Sequence, residues 1–218
     1  FLKRAKCVVL QADHVNNKLI EYCSHFNVTY PKHIVVVKPN PFVSELSGVE
    51  EKTFPFQLFY PSSNTLVKRD KLAVESIQYL HKKNNTIGLV ITSGNSVIES
   101  NEGVKTLNWL SREKVSSQLA TCDALLFTSE AETLGLPLLE ALYVGKPAVL
   151  PDLPYAREIY GDAAVYFKDG NPDAVATAVV ELMDHYQDFV EKVRERKKVE
   201  LSNRVSWNKH WEIFVQNL

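Results

Sequence analysis

Short apolar runs, each about the length of one strand, alternate along most of this chain with longer stretches of helical period. Few folds admit such an alternation. Residues 7–10, 34–37, 56–60, 87–92, 104–110, 124–128 and 148–150 read as strands. Between and after them, residues 13–26, 69–82, 112–122, 136–144, 154–160, 172–198 and 206–217 read as helices. Strand and helix in regular succession predict an α/β architecture, a Rossmann-like doubly wound parallel sheet. Pro39-Asn-Pro41 interrupts the series. The mixed polar segment 42–53 then reads as a linker or a crossover between domains.

One junction in the series carries chemistry. The run Asp123-Ala-Leu-Leu-Phe-Thr128 reads as a buried strand, and it leads through Glu132-Thr-Leu-Gly135-Leu-Pro137 into a helix. Pro137 suits the first helical position, where a missing N–H costs nothing. The amides of Leu134, Gly135 and Leu136 then lie at or just before a helix N-terminus, free to donate to an anion. Glu140, about one turn in, leans back toward the same pocket. A phosphate site gains nothing from the carboxylates of Glu132 and Glu140, whereas sugar hydroxyls do, because a carboxylate accepts two hydroxyls in a fork. Amides for phosphate and glutamates for hydroxyls together imply a nucleotide-sugar. The plainer alternative is a helix-start acid favoured by the dipole followed by a solvated helix residue.

The stretch Glu132-Thr-Leu-Gly-Leu-Pro-Leu-Leu-Glu140-Ala-Leu, with Gly145-Lys-Pro-Ala-Val149 behind it, resembles the E-x7-E region of retaining GT-B glycosyltransferases, above all glycosyltransferase family 4. Asp152-Leu-Pro-Tyr-Ala-Arg-Glu158-Ile-Tyr-Gly-Asp162 through Phe167 resembles the next family segment, and Val205-Ser-Trp207 resembles the start of its last helix. The resemblance covers residues 54–218. It implies the C-terminal half of a GT-B fold there, with 1–41 as the tail end of an N-terminal, acceptor-side Rossmann-like domain and 42–53 as the linker. It also implies that Glu132 lies by the transferred sugar and Glu140 holds the ribose. The rest of the N-terminal domain is expected to be missing, and Phe1 in place of methionine reads as the start of a fragment. Such a chain would bind donor better than it turns over substrate.

A second loop supplies a cation. In Phe59-Tyr-Pro-Ser62-Ser63-Asn-Thr-Leu-Val-Lys68-Arg-Asp, a strand runs into a polar loop with a lysine at a helix start, placing charge at the carboxyl edge of the sheet where ligands of open α/β folds bind. Lys68 can neutralise a diphosphate leaving group. Family members usually have a glycine and an arginine in this loop, where Ser62 and Ser63 stand here. Ser63 carries no charge, so the load falls on Lys68 and the helix amides, with Arg69 as a substitute. Thr92-Ser-Gly94 and Leu107-Asn-Trp109-Leu110-Ser111 lie where family loops approach the nucleotide, Leu110 near the base. Trp109 is expected in the core, with stacking on a base as the alternative.

Composition bounds the partners. A formal net charge of −1 over 218 residues gives no pull toward nucleic acid. Three scattered cysteines suit neither a disulfide framework nor a zinc site and read as reduced packing residues of a cytoplasmic protein. No apolar run is long enough to span a bilayer. The six histidines form no triad and no metal spacing, and structural or surface roles are expected for all of them. The basic run Lys192 to Lys198, interleaved with Glu191 and Glu195, is expected to be a solvated face, with contact at the inner membrane surface as the alternative.

No cofactor is expected beyond the nucleotide-sugar donor. The resemblance implies metal-independent transfer of a hexosyl group with retention, to a carbohydrate or lipid-linked acceptor in polysaccharide or glycoconjugate assembly. The tyrosine-proline form of the first loop and Arg157-Glu158 point toward mannosyl-type members. Two rivals stay open: a nucleotide-sugar epimerase on the same fold, and a non-catalytic nucleotide-sugar-binding or scaffold subunit.

Overall fold

The computed structural model describes residues 5, 7–41, 43, 51–63, 65–93, 100–168 and 170–217. Two parallel sheets organise them. The smaller pairs β1 (Val8–Leu10) with β2 (Ile34–Val36) through the crossover helix α1 (Asp13–His25). The larger contains β3 (Phe56–Tyr60), β4 (Ile87–Thr92), β5 (Val104–Leu107), β6 (Ala124–Leu126), β7 (Ala148–Pro151) and β8 (Ala164–Phe167), in the order β5-β4-β3-β6-β7-β8. Its strands pair in parallel throughout. Most of the expected linker lies outside the described residues.

The apolar runs become central strands because both faces of the sheet are covered. Every residue of β4, β6 and β7 is buried. Helix α2 (Asp70–Lys83) packs beside α6 (Pro172–Asp184), while α3 (Arg112–Thr121), α4 (Leu136–Val144) and α5 (Pro154–Tyr160) pack as successive neighbours. Phe59, Phe127 and Leu138 are among the fully buried side chains of the single core cluster they share. Lys146 donates to the carbonyls of Ala120 and Cys122 at 2.8 and 2.7 Å, capping α3 from the next crossover. Burial pushes the Cys122 thiol up to about 12, which makes it the packing residue expected.

Two expectations are corrected and one unexpected strand is found. The strand expected over 104–110 ends at Leu107, after which the chain leaves the sheet toward α3. The helix expected over 172–198 is two, because the backbone at His185 (φ −116°, ψ 28°) leaves helical geometry between α6 and α7 (Tyr186–Ser202). β8, hidden in the short run after Asp162, pairs along β7 at the sheet edge. The basic run on α7 is solvated in part, with Glu191–Arg194 and Glu195–Lys198 as exposed pairs. Arg196 instead turns inward and donates to the carbonyls of Ile159 and Glu158 and to Glu200.

Residues 203–206 carry the chain back to the small sheet and into α8 (Trp207–Gln216). The amide of Val205 donates to Lys38 O (2.9 Å), and Val205 O accepts from the amide of Asn40 (2.8 Å). Arg204, buried, donates to Pro39 O at 3.0 Å and pairs with the buried Glu200 at 2.6 Å. Removing one partner of such a pair leaves an uncompensated buried charge. Arg204→Ala is expected to cost about 2–4 kcal/mol in urea denaturation, whereas truncating the exposed Arg194 should cost under about 0.5 kcal/mol.

Candidate active site

The strand order reverses direction between β3 and β6, whose neighbours in sequence lie on opposite sides. Loops leaving two such strands diverge and open a crevice at their carboxyl ends. Lys68 follows β3 and Glu132 follows β6, and both reach this crevice. Lys68 Nζ meets Glu132 Oε1 at 2.5 Å and sits over the Phe127 ring, 4.7 Å from its centroid. Neither side chain is more than slightly exposed.

Lys68 ends a short 3-10 turn, Leu66–Lys68, and Arg69 after it takes a left-handed conformation at φ +53°. For a side chain with a Cβ that conformation costs about 1–2 kcal/mol. The loop is held there by several bonds. The Tyr60 hydroxyl donates to Lys68 O at 2.5 Å, and the Thr128 hydroxyl lies 2.9 Å from Lys68 O and 3.1 Å from Arg69 O. The Glu130 amide donates to Val67 O at 2.8 Å, so the loops after β3 and β6 are stitched backbone to backbone. Arg69 pairs with Glu130 at 3.2 Å and donates to Gly170 O at 2.7 Å.

Ser62 is buried and donates to Asp70 Oδ1 at 2.5 Å, while its carbonyl accepts from the Thr92 hydroxyl at 2.8 Å. It serves the loop's own shape. Burial pushes the Asp70 carboxyl up, against the Ser62 hydrogen bond and the Lys68 charge. Ser63 is half-buried, and Asn64 and Gly94 lie outside the described residues.

On the β6 side, Gly135 stands at φ +66° as the cap of α4, with Pro137 in the first turn. The first intrahelical bonds run from Leu138 and Leu139 back to Gly135 O, so the amides of Leu134, Gly135 and Leu136 precede the helical ladder. A Cβ on Gly135 would meet Ile159 Cδ1 at 2.8 Å. The loop is braced from α5 by Tyr155, whose hydroxyl donates to Ser129 O at 2.6 Å. Leu134 is buried and Leu136 half-buried.

Glu140 lies in α4 as spaced. Burial pushes its carboxyl up to about 7, opposed by the charge of Arg112 at the start of α3. Leu110 packs against the core, whereas Trp109 is 66% exposed and does not join it. The ring has left the sheet because β5 stops two residues earlier.

Lys68 and Glu132 thus meet at the crevice, the capped start of α4 follows Glu132 in the chain, and a cation and a carboxylate in contact suit a ligand with an anionic and a hydroxyl-rich end. Residues 51–200 match the family model described as glycosyl transferases group 1. The chain belongs to that family. This glycosyl transferase is 32% identical over 117 residues to the serotype-specific mannosyltransferase WbdA of Escherichia coli, a match covering 52% of this chain and 14% of that protein. It superposes on Staphylococcus aureus TarM with TM-score 0.75 and 15% identity, over 99% of this chain and 44% of that one. The pneumococcal O-GlcNAc transferase GtfA, solved with UDP and GlcNAc, superposes with TM-score 0.71 and 18% identity, over 91% of this chain and 42% of that one. The chain thus spans less than half the length of the relatives it matches. Its α/β sheet is a Rossmann-like half of a GT-B fold.

Sequence reasoning passed over several groups that shape this glycosyl transferase's crevice: Thr128, Phe127, Tyr155, Asp70 and Arg112. Phe127 and Thr128 stood only as the end of a strand, and nothing in their spacing says that they face Lys68.

Gly135→Ala combines a disfavoured φ with a clash against Ile159, and is expected to lose about 2–4 kcal/mol by urea denaturation. For Glu140, whose folded value is raised from 4.5 to about 7, stability is fully present below pH 4.5 and is lost as pH rises through about 7. Thermal melts from pH 4 to 8 should show a fall that Glu140→Gln abolishes, with a size of up to about 3 kcal/mol.

Proposed function

We propose that this chain is the donor-binding half of a retaining, metal-independent glycosyltransferase that moves a hexosyl group, mannosyl by first choice, from a nucleoside-diphosphate sugar to an acceptor hydroxyl. The observation that carries this reading is the Lys68–Glu132 contact at the switch point of the sheet, beside the start of α4. A cation and a carboxylate in contact there can separate onto the two ends of one ligand.

In this reading Lys68 and the amides of Leu134, Gly135 and Leu136 take the diphosphate, and their fixed dipoles stabilise the charge that grows on it as it leaves. Glu132 accepts hydroxyls of the transferred sugar, and Glu140 those of the ribose. Ser62 acts through the loop it shapes, and Ser63 offers a hydroxyl where related loops offer a charge. Leu110 and the exposed Trp109 flank the base, the latter by stacking. The bond from the anomeric carbon to the phosphate oxygen breaks, and one to the acceptor oxygen forms on the same face. The acceptor proton passes to the departing phosphate.

The mannosyl preference draws on the WbdA match. Residues 1–41 are read as the end of an acceptor-side domain, which would bring a carbohydrate or lipid-linked acceptor to the cleft. The reading sets the reaction in the cytoplasm, with the exposed Lys192, Arg194 and Lys198 available to the inner membrane face. No helix among the described residues is long and apolar enough to cross a membrane.

Calorimetric titration of the chain with GDP, UDP, ADP and dTDP tests the assignment. One diphosphate should bind, with EDTA making no difference. Lys68→Ala and Glu140→Ala should each weaken it about tenfold or more, the size of a lost charge-assisted hydrogen bond. Binding of none, or binding indifferent to Glu140→Ala, overturns the donor site. A second series with GDP-mannose, UDP-glucose and UDP-GlcNAc ranks the sugars, and a preference for either glucosyl donor removes the mannosyl assignment.

A further inference from the structure

Helix α1 starts without a cap of its own, since Ala12 at the cap position has no side chain to accept an N–H. The cap comes from α5, Glu158 lying 145 residues from Asp13 along the chain. Glu158 accepts the amide of Asp13 at Oε1 (3.0 Å) and that of His14 at Oε2 (2.9 Å), and Lys38 Nζ reaches Oε1 at 2.8 Å. The ring of His14 joins the same carboxylate: Nδ1 lies 2.8 Å from Oε2. Its other nitrogen, Nε2, lies 3.0 Å from the backbone oxygen of Glu132.

A carbonyl and an ionised carboxylate can only accept. Both ring nitrogens must then donate, and only the imidazolium does so. Glu158 does not carry the proton instead. Although burial alone would raise it, the bonds from His14, Lys38 and the two amides hold its carboxyl well below the usual carboxylate range. Burial pulls the His14 ring down, but the bonds to Glu158 and to the Glu132 carbonyl outweigh it and leave the ring above its ordinary 6.5. His14 is only 5% exposed. The charged and titratable groups around it are Glu158 and Tyr155 on α5, Asp13 and Lys18 on α1, Lys38 after β2, and Glu132 with its partner Lys68.

We propose that His14 is a positioning residue for the donor site, a charged strut between Glu158 and the backbone of Glu132 that sets where the Glu132 carboxylate stands opposite Lys68. The proposal rests on the reading of Glu132 as the sugar-side group of that site. It assigns a role to the β1-α1-β2 unit as well: through one buried ring, that unit orders the loop on which α4 begins.

The sign with pH follows from the geometry. While the ring is charged both bonds stand, so the strut is complete below pH 6.5. As pH rises through the folded value, which lies above 6.5, one ring proton leaves and a nitrogen lone pair faces either the carboxylate or the Glu132 oxygen. Two acceptors about 3 Å apart repel, and the loop is released.

Nuclear magnetic resonance of the 15N-histidine, 13C-labelled chain reads this directly. At pH 6 both ring nitrogens of His14 should carry hydrogen, and the Glu132 carbonyl shift should move with the same midpoint as the ring. In His14→Gln, which keeps a donor for one side only, amide exchange over residues 130–135 should quicken about tenfold or more while that of β4 stays unchanged. Because Glu132 faces the sugar, His14→Gln should weaken the preferred nucleotide-sugar about tenfold and its parent nucleoside diphosphate less than twofold. Glu158→Gln, which keeps the shape without the charge, should lower the ring midpoint and reproduce the same split.

A singly protonated ring at pH 6, a Glu132 carbonyl shift that ignores the ring, or equal weakening of sugar and parent diphosphate overturns the proposal. Failure of the unaltered chain to bind any nucleotide overturns the donor-site reading instead. The resonance measurements decide the strut independently of it.

Discussion

The pairing of β3 with β6 is the constraint on which the site depends. Leu58 and Phe59 align with Ala124 and Leu125, and from that line the remaining strands are added outward in both directions. Crossovers on the two sides leave the sheet in opposite directions and open a gap at its carboxyl edge. The chain fills that gap with polar groups rather than apolar ones. Tyr60, Thr128 and the amide of Glu130 bind the backbone of the turn 67–69, so Lys68 is delivered by a rigid platform rather than by a free loop. Fixed placement matters because charge stabilisation works best when the stabilising groups need not move.

The two carboxylates of the E-x7-E segment occupy different electrostatic environments. Glu132 is neutralised by direct contact with Lys68. Burial holds the proton of Glu140 to about neutral pH in spite of the charge of Arg112. One carboxylate is thus ready to exchange a cation for hydroxyls, while the other keeps its charge only when something compensates it. The proposed nucleotide-sugar, bearing hydroxyls and an anion, would meet both conditions at once.

Glu158 links this crevice to the opposite end of the chain. Its carboxylate caps α1, pairs with Lys38 and holds His14, while its own backbone oxygen accepts from Arg196. Arg196 pairs in turn with Glu200, which pairs with Arg204, which donates to Pro39 O. Buried or half-buried ionic groups connected in series hold the small sheet against the large one through polar contacts of fixed geometry. The sequence resemblance passed through Glu158 without any hint of this, because the partners of its carboxylate lie more than a hundred residues away.

Strand-length apolar runs and helical periods were legible in the residue order, since both are local consequences of burial on one or two faces. The same holds for Gly135 and Pro137 at the head of α4, where turn geometry and a missing N–H dictate the residue type. Lys68, Glu132 and Glu140 could be singled out as candidates as well, although the residue order left a structural reading open for them. Local pattern failed where packing decides. Trp109 looked like a core residue and stands exposed, and Arg196 looked solvated and turns inward. His14 looked structural and lies against the backbone of Glu132. The sequence by itself determined the fold class and the family, both of which follow from neighbours along the chain. The tertiary structure alone decided which groups face one another, because hydrogen bonds and ion pairs depend on distances that only the folded sheet sets.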